Sequence, residues 1–407
     1  MSNGANPMAV IKLILINVLV FVLLYGVTEL SYSTYRYCLT DTSPDSFALF
    51  EHPGDTIRFD PIRGYFLTLT PSRVTRVNHG KADFVGSFRG NAQGFADRDD
   101  FTAQRSTASE RRIAVFGDSF TSATMEPLNG PNWPDRVKDL CGASRGRPLA
   151  LLNFAVDGGG LANWASILRN MVVKDGYDLD GLVFAVAWDD LDRKFAMFDQ
   201  IDAQRFLHAR ASTWDVASQP KTRTEARALL EKDSNPAHRF VVSSAEFDAF
   251  LAGSWKPRQW KFRIWGRLAW LLARRTKTEK PNTGFEPGQM VLIKEIRQLS
   301  SDRSWKIAVV QIPTREELLE SDADFRSNME KSRAFAKMLG ATFIDGREAF
   351  RGLTRQQIRA DWFPVDGHWN GRGSDRFASY MAARLQSWLS AGAVSERSEL
   401  KSLTAWR

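Results

Sequence analysis

The hydrophobic positions of the chain change their pattern twice along its length. Residues 8–27 form one apolar run that only Lys12 and Asn17 interrupt. Residues 38–110 carry short β-like pieces between glycine, proline and aspartate turns, which predicts a small β-rich collar. These pieces cover 57–59, 65–69 and 84–88. From residue 111 onward, apolar runs of strand length alternate with segments of helical period, a pattern typical of parallel strands joined by helices.

Five of the later apolar runs predict the strands of one parallel sheet. Each is rich in β-branched residues and ends at glycine, proline, aspartate or another polar residue. The predicted strands cover 113–116, 149–156, 182–187, 307–312 and 342–344. Helices are predicted at 164–173, 287–299, 324–339 and 374–389. Strands and helices that alternate in this way predict an α/β fold whose sheet is covered on both faces.

The apolar run at 8–27 has roughly the 20 residues that a membrane-spanning helix needs. Lys12 lies near one end, where its ammonium can reach the lipid headgroups. A cleaved signal peptide is the main alternative, but residues 28–32 lack the small-x-small pattern of a cleavage site. A buried core helix is the third interpretation, which the absence of a polar face disfavours. We expect an uncleaved anchor, with residues 1–7 in the cytoplasm and the body outside.

The body is predicted to be one large domain with an insertion. The domain covers 111–391, and a partly helical insertion at 191–280 separates its third and fourth strands. A basic piece of the insertion, 255–275, has one apolar and one arginine-rich helical face. It is interpreted either as a helix that lies on anionic lipid or an acidic polymer, or as a lid helix with a solvated basic face, which is favoured. Residues 392–407 are expected to form a C-terminal tail.

The composition indicates a globular protein, and its basic charge does not by itself identify a binding partner. The 407 residues are 43% apolar, as in a globular body, and the formal charge is +8. A basic chain suits anionic lipid, acidic glycan or nucleic acid, but zinc-finger, RNP and helix-turn-helix patterns are absent, so nucleic acid is not expected. The two cysteines, Cys38 and Cys141, exclude a disulfide framework and a cysteine-based metal site, and leave one bridge open.

Reactive side chains are concentrated around the ends of the predicted strands. In a doubly wound sheet, ligands bind outside the carboxyl ends of the strands, so these positions meet at one rim. The residues are Gly117, Asp118 and Ser119 after the first strand, Asn153 and 157–160 at the second, 188–190 after the third, and Asp366 and His368 after the fifth. Each motif alone also occurs in ordinary turns and helix caps. Their occurrence together and in order indicates a functional site.

Ser119 and His368 are the candidate nucleophile and base. A serine hydroxyl needs a base to remove its proton, and His368 is the one histidine among five that lies in such a motif. Asp366, two residues earlier, can accept from the imidazole Nδ1–H and fix the tautomer. The backbone N–H groups of Ser119 and Gly158 are candidate donors to an oxyanion. This arrangement predicts acyl-transfer chemistry.

This set of motifs resembles the SGNH/GDSL hydrolase superfamily. The matching positions are 117–119 for the Gly-Asp-Ser block, Asn153 and Gly158 for the Asn-x-x-x-x-Gly block, and Asp366 and His368 for the last block. Other stretches, at 91–95, 311–315 and 366–370, resemble bacterial, membrane-anchored members linked to exopolysaccharide and alginate acetylation. The last block is Asp-x-His, as in those relatives, whereas the superfamily commonly has Asp-x-x-His.

The resemblance implies a flavodoxin-like, five-stranded sheet and a Ser119–His368–Asp366 triad. It places Gly158, Asp189, Asn153 and Asp118 in the oxyanion and substrate-binding set, and it implies neither a metal nor a cofactor. One position departs from the pattern, because Asp189 stands where the family has an oxyanion-binding asparagine. A carboxylate cannot donate a hydrogen bond. Asp189 is therefore expected to be protonated by burial, to point away, or to mark a chain that has lost activity.

Three functions follow as expectations. The first is an esterase or O-acetyltransferase that handles acetyl or other acyl esters of carbohydrate, anchored in the cytoplasmic membrane and facing the periplasm or cell exterior. The second is a non-catalytic, polysaccharide-binding scaffold in an exopolysaccharide export or modification complex. The third, less favoured, is a lipase that uses the basic segment to lie on membrane lipid.

Overall fold

The structure is a computed structural model that describes residues 7–39, 46–51, 57–78, 81–122, 132–142, 148–200, 206–233, 239–256, 284–319, 323–364 and 366–404. Its contacts divide the chain into two compact units, one of residues 1–45 and 249–280 and the other of residues 46–248 and 281–407. The basic segment predicted at 255–275 lies outside the described residues from position 257 onward, so neither interpretation of it is tested.

Helix α1, Pro7–Leu39, belongs to the first unit. Within it, residues 11–35 are long and apolar enough to cross a membrane, judged by length and composition. Most of its side chains are exposed, including large apolar ones such as Phe21 and Val27. An exposed apolar helix of this length is what a membrane-spanning segment presents to lipid.

Thirteen strands lie in the described part of the second unit. They are β1 Ser46–Glu51, β2 Ile57–Arg58, β3 Phe66–Leu67, β4 Ser72–Asn78, β5 Lys81–Phe88, β6 Arg111–Phe116, β7 Leu149–Asn153, β8 Gly181–Val186, β9 Ala196–Gln200, β10 Phe206–Arg210, β11 Arg239–Val242, β12 Lys306–Gln311 and β13 Thr342–Asp345.

The helices that follow α1 connect and cover these strands. They are α2 Ser119–Ser122, α3 Trp133–Gly142, α4 Leu161–Ile167, which continues as a wider π-helical turn over Leu168–Val173, α5 Arg223–Asp233, α6 Ser244–Leu251, α7 Pro287–Ser301, α8 Arg315–Leu319, α9 Ala323–Leu339, α10 Arg355–Ala360 and α11 Gly371–Thr404. Short 3₁₀ turns occur at Asp190–Asp192, Val216–Ser218 and Gly346–Phe350.

The main sheet has the order β7-β6-β8-β12-β13, and all of its neighbouring strands are parallel. Counted along the sheet strands alone, this is the flavodoxin-like order 2-1-3-4-5. The predicted fold class is confirmed. The order reverses between β6 and β8, so the carboxyl end of β6 lies at the topological switch point, where ligands bind in folds of this kind.

Helices bury both faces of the main sheet. On one face, Phe116 and Phe184 pack in a cluster with Trp164 of α4 and Phe335 of α9. On the other face, the alternate residues of the same strands pack against α3 and α11, which contribute Trp133, Val137, Phe377 and Met381. Strands buried on both faces read as continuous apolar runs, which is why β6, β7, β8 and β12 could be found in the sequence.

A second sheet, which we call the collar sheet, has the order β11-β1-β4-β5. Its β1–β4 and β4–β5 pairs are antiparallel, and its β1–β11 pair is parallel. Strand β11 belongs to the stretch predicted as a partly helical insertion, and β1 and β4 were not predicted as strands. The pairing of β1 with β11 spans about half of the chain, and no local pattern in either strand indicates it.

Candidate active site

Gly117 sets the turn that follows β6. Its carbonyl accepts from the Val156 N–H at 3.1 Å and from the Trp164 indole Nε1–H at 3.1 Å. A Cβ at this position would lie 2.3 Å from Thr121 Oγ1, so the turn has room only for glycine. Because the Gly117 backbone packs closely against Thr121, Asp118 and Ser119 lie directly beyond the end of β6.

Asp118 stabilises the start of α2 through hydrogen bonds of its side chain. Its side chain is buried, and Oδ1 accepts from the Phe120 N–H at 2.9 Å. Its other oxygen, Oδ2, pairs with Arg193 Nη1 at 3.1 Å. These bonds fix the first turn of α2, and Ser119 is the first residue of that helix.

The structure brings Ser119 and His368 together, although 249 positions separate them along the chain. Ser119 Oγ lies 2.7 Å from His368 Nε2. The other imidazole nitrogen, Nδ1, bonds to Asp366 Oδ1. Because a carboxylate only accepts, Nδ1 carries the proton and Nε2 accepts from the serine hydroxyl. The three groups therefore form one continuous chain of hydrogen bonds, from the Ser119 hydroxyl through the imidazole to Asp366.

The environment of this pair keeps the imidazole basic. Burial alone would lower the pKa of His368, but the charge and hydrogen bond of Asp366 outweigh it and raise the pKa above its usual value. Burial would raise the pKa of Asp366, and the charge and hydrogen bond of His368, together with Arg76, hold that pKa below its usual value. A carboxylate in this position favours the protonated form of the imidazole.

Aromatic rings surround the imidazole. The centroid of Phe120 lies 4.6 Å from that of His368, and the Trp188 ring meets His368 edge-on at 6.0 Å. Trp188 has a φ of +39°, which is strained for a residue with a side chain. Strain of this kind is found at functional sites, and here it accompanies a half-buried indole beside the base.

The loop that carries Asp366 and His368 is closed by backbone bonds. The Phe363 N–H donates to the His368 carbonyl at 2.9 Å, and Gly367 takes a φ of +86° that favours glycine. Asn370 then caps α11, since its Oδ1 accepts from the Arg372 N–H at 3.0 Å. Hydrogen bonds therefore hold the loop at both ends, and this restricts the position of the imidazole.

Two backbone donors are available for an oxyanion. Within the described part of the chain, neither the Ser119 N–H nor the Gly158 N–H donates to a protein group. Gly158 has a φ of +63°, and a Cβ there would lie 3.1 Å from Phe198 Cζ. The neighbouring Asp157 N–H donates to the Tyr65 hydroxyl at 2.9 Å, which fixes the turn. Both N–H groups are thus open to another acceptor, and their role as oxyanion donors stays a prediction.

Asn153 supports these turns from within the core. Its side chain is fully buried, and Nδ2 donates to the Thr121 carbonyl at 2.9 Å and to the Ala96 carbonyl at 3.2 Å. Its Oδ1 accepts from the Ala155 N–H at 3.2 Å. Asn153 and Asp118 are thus buried side chains whose hydrogen bonds hold the backbone next to the candidate site residues.

Asp189 is ionised. Its Oδ1 accepts from Arg193 Nε at 2.8 Å, and its Oδ2 lies 3.7 Å from Arg210 Nη1. Burial would raise the pKa of Asp189, but the charge and hydrogen bonds of Arg193, with the charge of Arg210, outweigh it and lower that pKa. The two ion pairs and the lowered pKa disfavour the explanation that burial keeps this carboxyl protonated. The side chain is turned to two arginines, and its role at the site stays a prediction.

Arg193, which the sequence analysis missed, joins the turns after three strands. Its guanidinium pairs with Asp118, with Asp189 and with Asp190, whose Oδ1 lies 2.5 Å from Nη1. It also donates to the Gly159 carbonyl at 3.2 Å. Burial would lower the pKa of Arg193, and the three carboxylates raise it, so the cation is permanent. The spacing of three and four residues from two aspartates was the available signal.

One acidic cluster of the described residues could hold a metal by geometry alone. It consists of Asp97, Asp99 and Asp135. The Lys138 ammonium lies 2.9 Å, 2.8 Å and 2.5 Å from these three carboxylates, so a cation of the chain itself occupies the centre. The cluster is a structural ion-pair network.

No protein-family model and no curated protein sequence matches the chain. Among solved structures, it is similar to a lipase from a goat rumen metagenome, with 12% identity, a TM-score of 0.33, and coverage of 67% of this chain and 96% of that one. It is similar to a lipase/acylhydrolase from Enterococcus faecalis, with 10% identity, a TM-score of 0.35, and coverage of 68% and 96%. A GDSL-like lipase from Bacteroides thetaiotaomicron matches with 10% identity, a TM-score of 0.33, and coverage of 72% and 93%. The activity of this chain has to follow from the geometry of its own site.

Proposed function

We propose that the chain is a membrane-anchored, serine-dependent enzyme that cleaves or transfers acyl groups on carbohydrate outside the cytoplasmic membrane. The observation that carries the proposal is the 2.7 Å distance between Ser119 Oγ and His368 Nε2, with Nδ1 bonded to the buried side chain of Asp366. A hydroxyl, a base and a carboxylate in this order form an activated nucleophile.

In the proposed mechanism, Ser119 Oγ attacks the ester carbonyl while His368 Nε2 takes its proton. The N–H groups of Ser119 and Gly158 donate to the oxygen on which negative charge develops. When the tetrahedral intermediate collapses, His368 returns the proton to the leaving alcohol and an acyl-serine remains. Water then resolves it to give hydrolysis, or a sugar hydroxyl resolves it to give acyl transfer.

Asp189 sets the expected rate. Its carboxylate cannot donate to the oxyanion, so two backbone donors act without a side-chain donor. The loss of one oxyanion donor costs about 10²- to 10³-fold in rate. We therefore expect turnover that is slow, and that still depends on Ser119 and His368.

The rim of the site supports a carbohydrate substrate. Trp188 offers a half-buried aromatic face beside His368, and Asp189 and Arg210 offer exposed polar groups next to it. An aromatic surface with a few placed polar groups suits a ring that has one apolar face and several hydroxyls. Proteins of an exopolysaccharide machinery are the partners that such a substrate and an anchored chain suggest.

Acyl-ester turnover by purified full-length protein tests the proposal. With a chromogenic acetyl ester, we expect Ser119→Ala to lose at least about 10³-fold in kcat. Ser109→Ala removes an exposed serine hydroxyl elsewhere and serves as the control. Equal rates for Ser119→Ala and wild type would show that Ser119 is not the nucleophile.

A non-catalytic, polysaccharide-binding scaffold is the second candidate, and the pairing of Asp189 with Arg193 and Arg210 favours it. The two candidates differ in their response to Asp189→Asn, which removes the negative charge and adds an amide donor. If the site is an enzyme with a weakened oxyanion site, this change raises kcat, and Asp189→Ala raises it less. If wild type and Asp189→Asn both lack turnover while the protein binds polysaccharide, the scaffold role replaces the enzyme.

A further inference from the structure

The antiparallel ladder between β4 and β5 is interrupted at one place. Thr75 pairs with Val85, but Val77 pairs with Ala82, so the register shifts around Arg76. Two residues of β5 remain between the paired positions, Asp83 and Phe84. Bulges of this kind re-aim side chains and are frequent next to active sites.

All three residues at this irregularity contact the loop that carries Asp366 and His368. Arg76 Nε lies 3.5 Å from Asp366 Oδ2. Asp83 Oδ2 accepts from the Asp366 N–H at 2.5 Å. The rings of Phe84 and Phe363 pack with centroids 4.5 Å apart, and both side chains are buried. The collar sheet therefore touches this loop through a charge, a hydrogen bond and an apolar contact.

Arg76 contacts Asp366 Oδ2, a carboxylate oxygen that otherwise lacks a polar partner among the described residues. Asp366 uses Oδ1 for His368, while Oδ2 is buried and, among the described residues, has no hydrogen-bond partner. A buried carboxylate oxygen without a partner is costly. Arg76 is the described cation that pairs with it, from a side chain that is 37% exposed. Loss of Arg76 would leave this oxygen without compensation and Asp366 free to turn.

We propose that the bulge at Arg76, Asp83 and Phe84 positions the Asp366–His368 loop, and that Arg76 is a positioning residue for the reaction. This inference rests on the proposed function, since it assigns Asp366 to the triad. Within the described residues, the ion pair of Arg76 at this site is with Asp366 and not with Ser119. It acts by keeping Asp366 Oδ1 directed at His368 Nδ1, so its removal lowers kcat and leaves KM unchanged.

Three variants of the full-length protein test the inference. We expect Arg76→Ala to reduce kcat for the acetyl ester about tenfold with KM within twofold of wild type, and Arg76→Lys to recover most of the loss. Arg73→Ala is the matched control, because Arg73 lies on the same strand and forms ion pairs with Glu51 and Asp248. We expect Arg73→Ala to lower the melting temperature and to leave kcat unchanged. The inference is overturned if Arg76→Ala and Arg73→Ala have the same kcat, or if Arg76→Lys is as slow as Arg76→Ala.

Hydrogen exchange separates this inference from the proposed function. If wild type shows no ester turnover, the proposed function fails, and exchange of the peptide that covers 361–370 still reports on the loop. We expect Arg76→Ala to speed exchange in that peptide, and Arg73→Ala to leave it unchanged. Unchanged exchange in Arg76→Ala would show that the bulge does not hold the loop.

Discussion

At the scale of single residues, one carboxylate controls the protonation of the base. Asp366 raises the pKa of His368 above its usual value despite burial of the ring, which acts in the opposite direction. Only neutral His368 can accept the proton of Ser119. Activity should therefore rise with pH as the imidazolium loses its proton, and this acid limb should lie above the pKa of an ordinary histidine.

Asp366→Asn tests this dependence. The amide keeps the size of the side chain but removes the negative charge, so the pKa of His368 falls. We expect the acid limb of kcat/KM to move to lower pH, and kcat on the plateau to fall about 10²- to 10⁴-fold because the tautomer is no longer fixed. The measurement is kcat/KM for a chromogenic acetyl ester over pH 5 to 9. A limb that stays in place would contradict the assignment of Asp366.

Ser119 was predictable because it follows the end of β6, at the rim where ligands bind in such folds. His368 lies far beyond the end of β13, in the loop before α11, and it was predictable from the Asp-x-His motif that it forms with Asp366. Arg76 and Arg193 were missed for a different reason. Each is one of many basic residues, and its importance comes from partners that only the folded chain brings near, such as Asp366 for Arg76.

At the scale of elements, the turns after the strands require particular backbone shapes. The turn after β7 contains Gly158 at a φ of +63°, with Phe198 close to the position of a Cβ. A side chain here would strain the backbone and push on that ring. The direction of the Gly158 N–H depends on the shape of the same turn. A change in that shape would therefore also redirect the proposed oxyanion donor.

Gly158→Ala should therefore cost both stability and activity. The positive φ alone costs an alanine about 1 kcal/mol, and contact with Phe198 adds to it. Gly176→Ala is the matched control, since Gly176 has a φ of +69° and nothing within 4 Å of a Cβ. We expect both variants to lose stability in chemical denaturation, and only Gly158→Ala to lose at least tenfold in kcat. Equal kcat values for the two variants would count against Gly158 as an oxyanion donor.

The main sheet was predictable strand by strand, and the collar sheet was not. Strands buried on both faces give long apolar runs, as in β8, where every residue is buried. The predicted strand at 149–156 runs past the end of β7 at Asn153. Phe154 and Val156 extend the apolar run because they pack in the core, although they follow the last paired residue of the strand. Pairing between β1 and β11 joins distant segments, and distant pairing leaves no periodic signal in either one.

At the scale of the whole molecule, α1 combines length with an apolar composition over residues 11–35. A helix of this kind supports a single membrane span. We expect the full-length chain to stay in the membrane pellet after extraction at alkaline pH, which removes peripheral proteins. We also expect protease added outside intact, wall-free cells to digest residues 46–407. Release of the chain by alkaline extraction would exclude an integral anchor.

In the proposed mechanism, Ser119 is a nucleophile that His368 activates. A fluorophosphonate reacts covalently with such a serine, and mass spectrometry of the full-length protein in detergent locates the adduct. We predict one adduct on Ser119 in wild type, and a rate of labelling at least 100-fold lower in His368→Ala. An unmodified Ser119 in folded wild-type protein, or equal labelling rates for wild type and His368→Ala, would show that His368 does not activate Ser119.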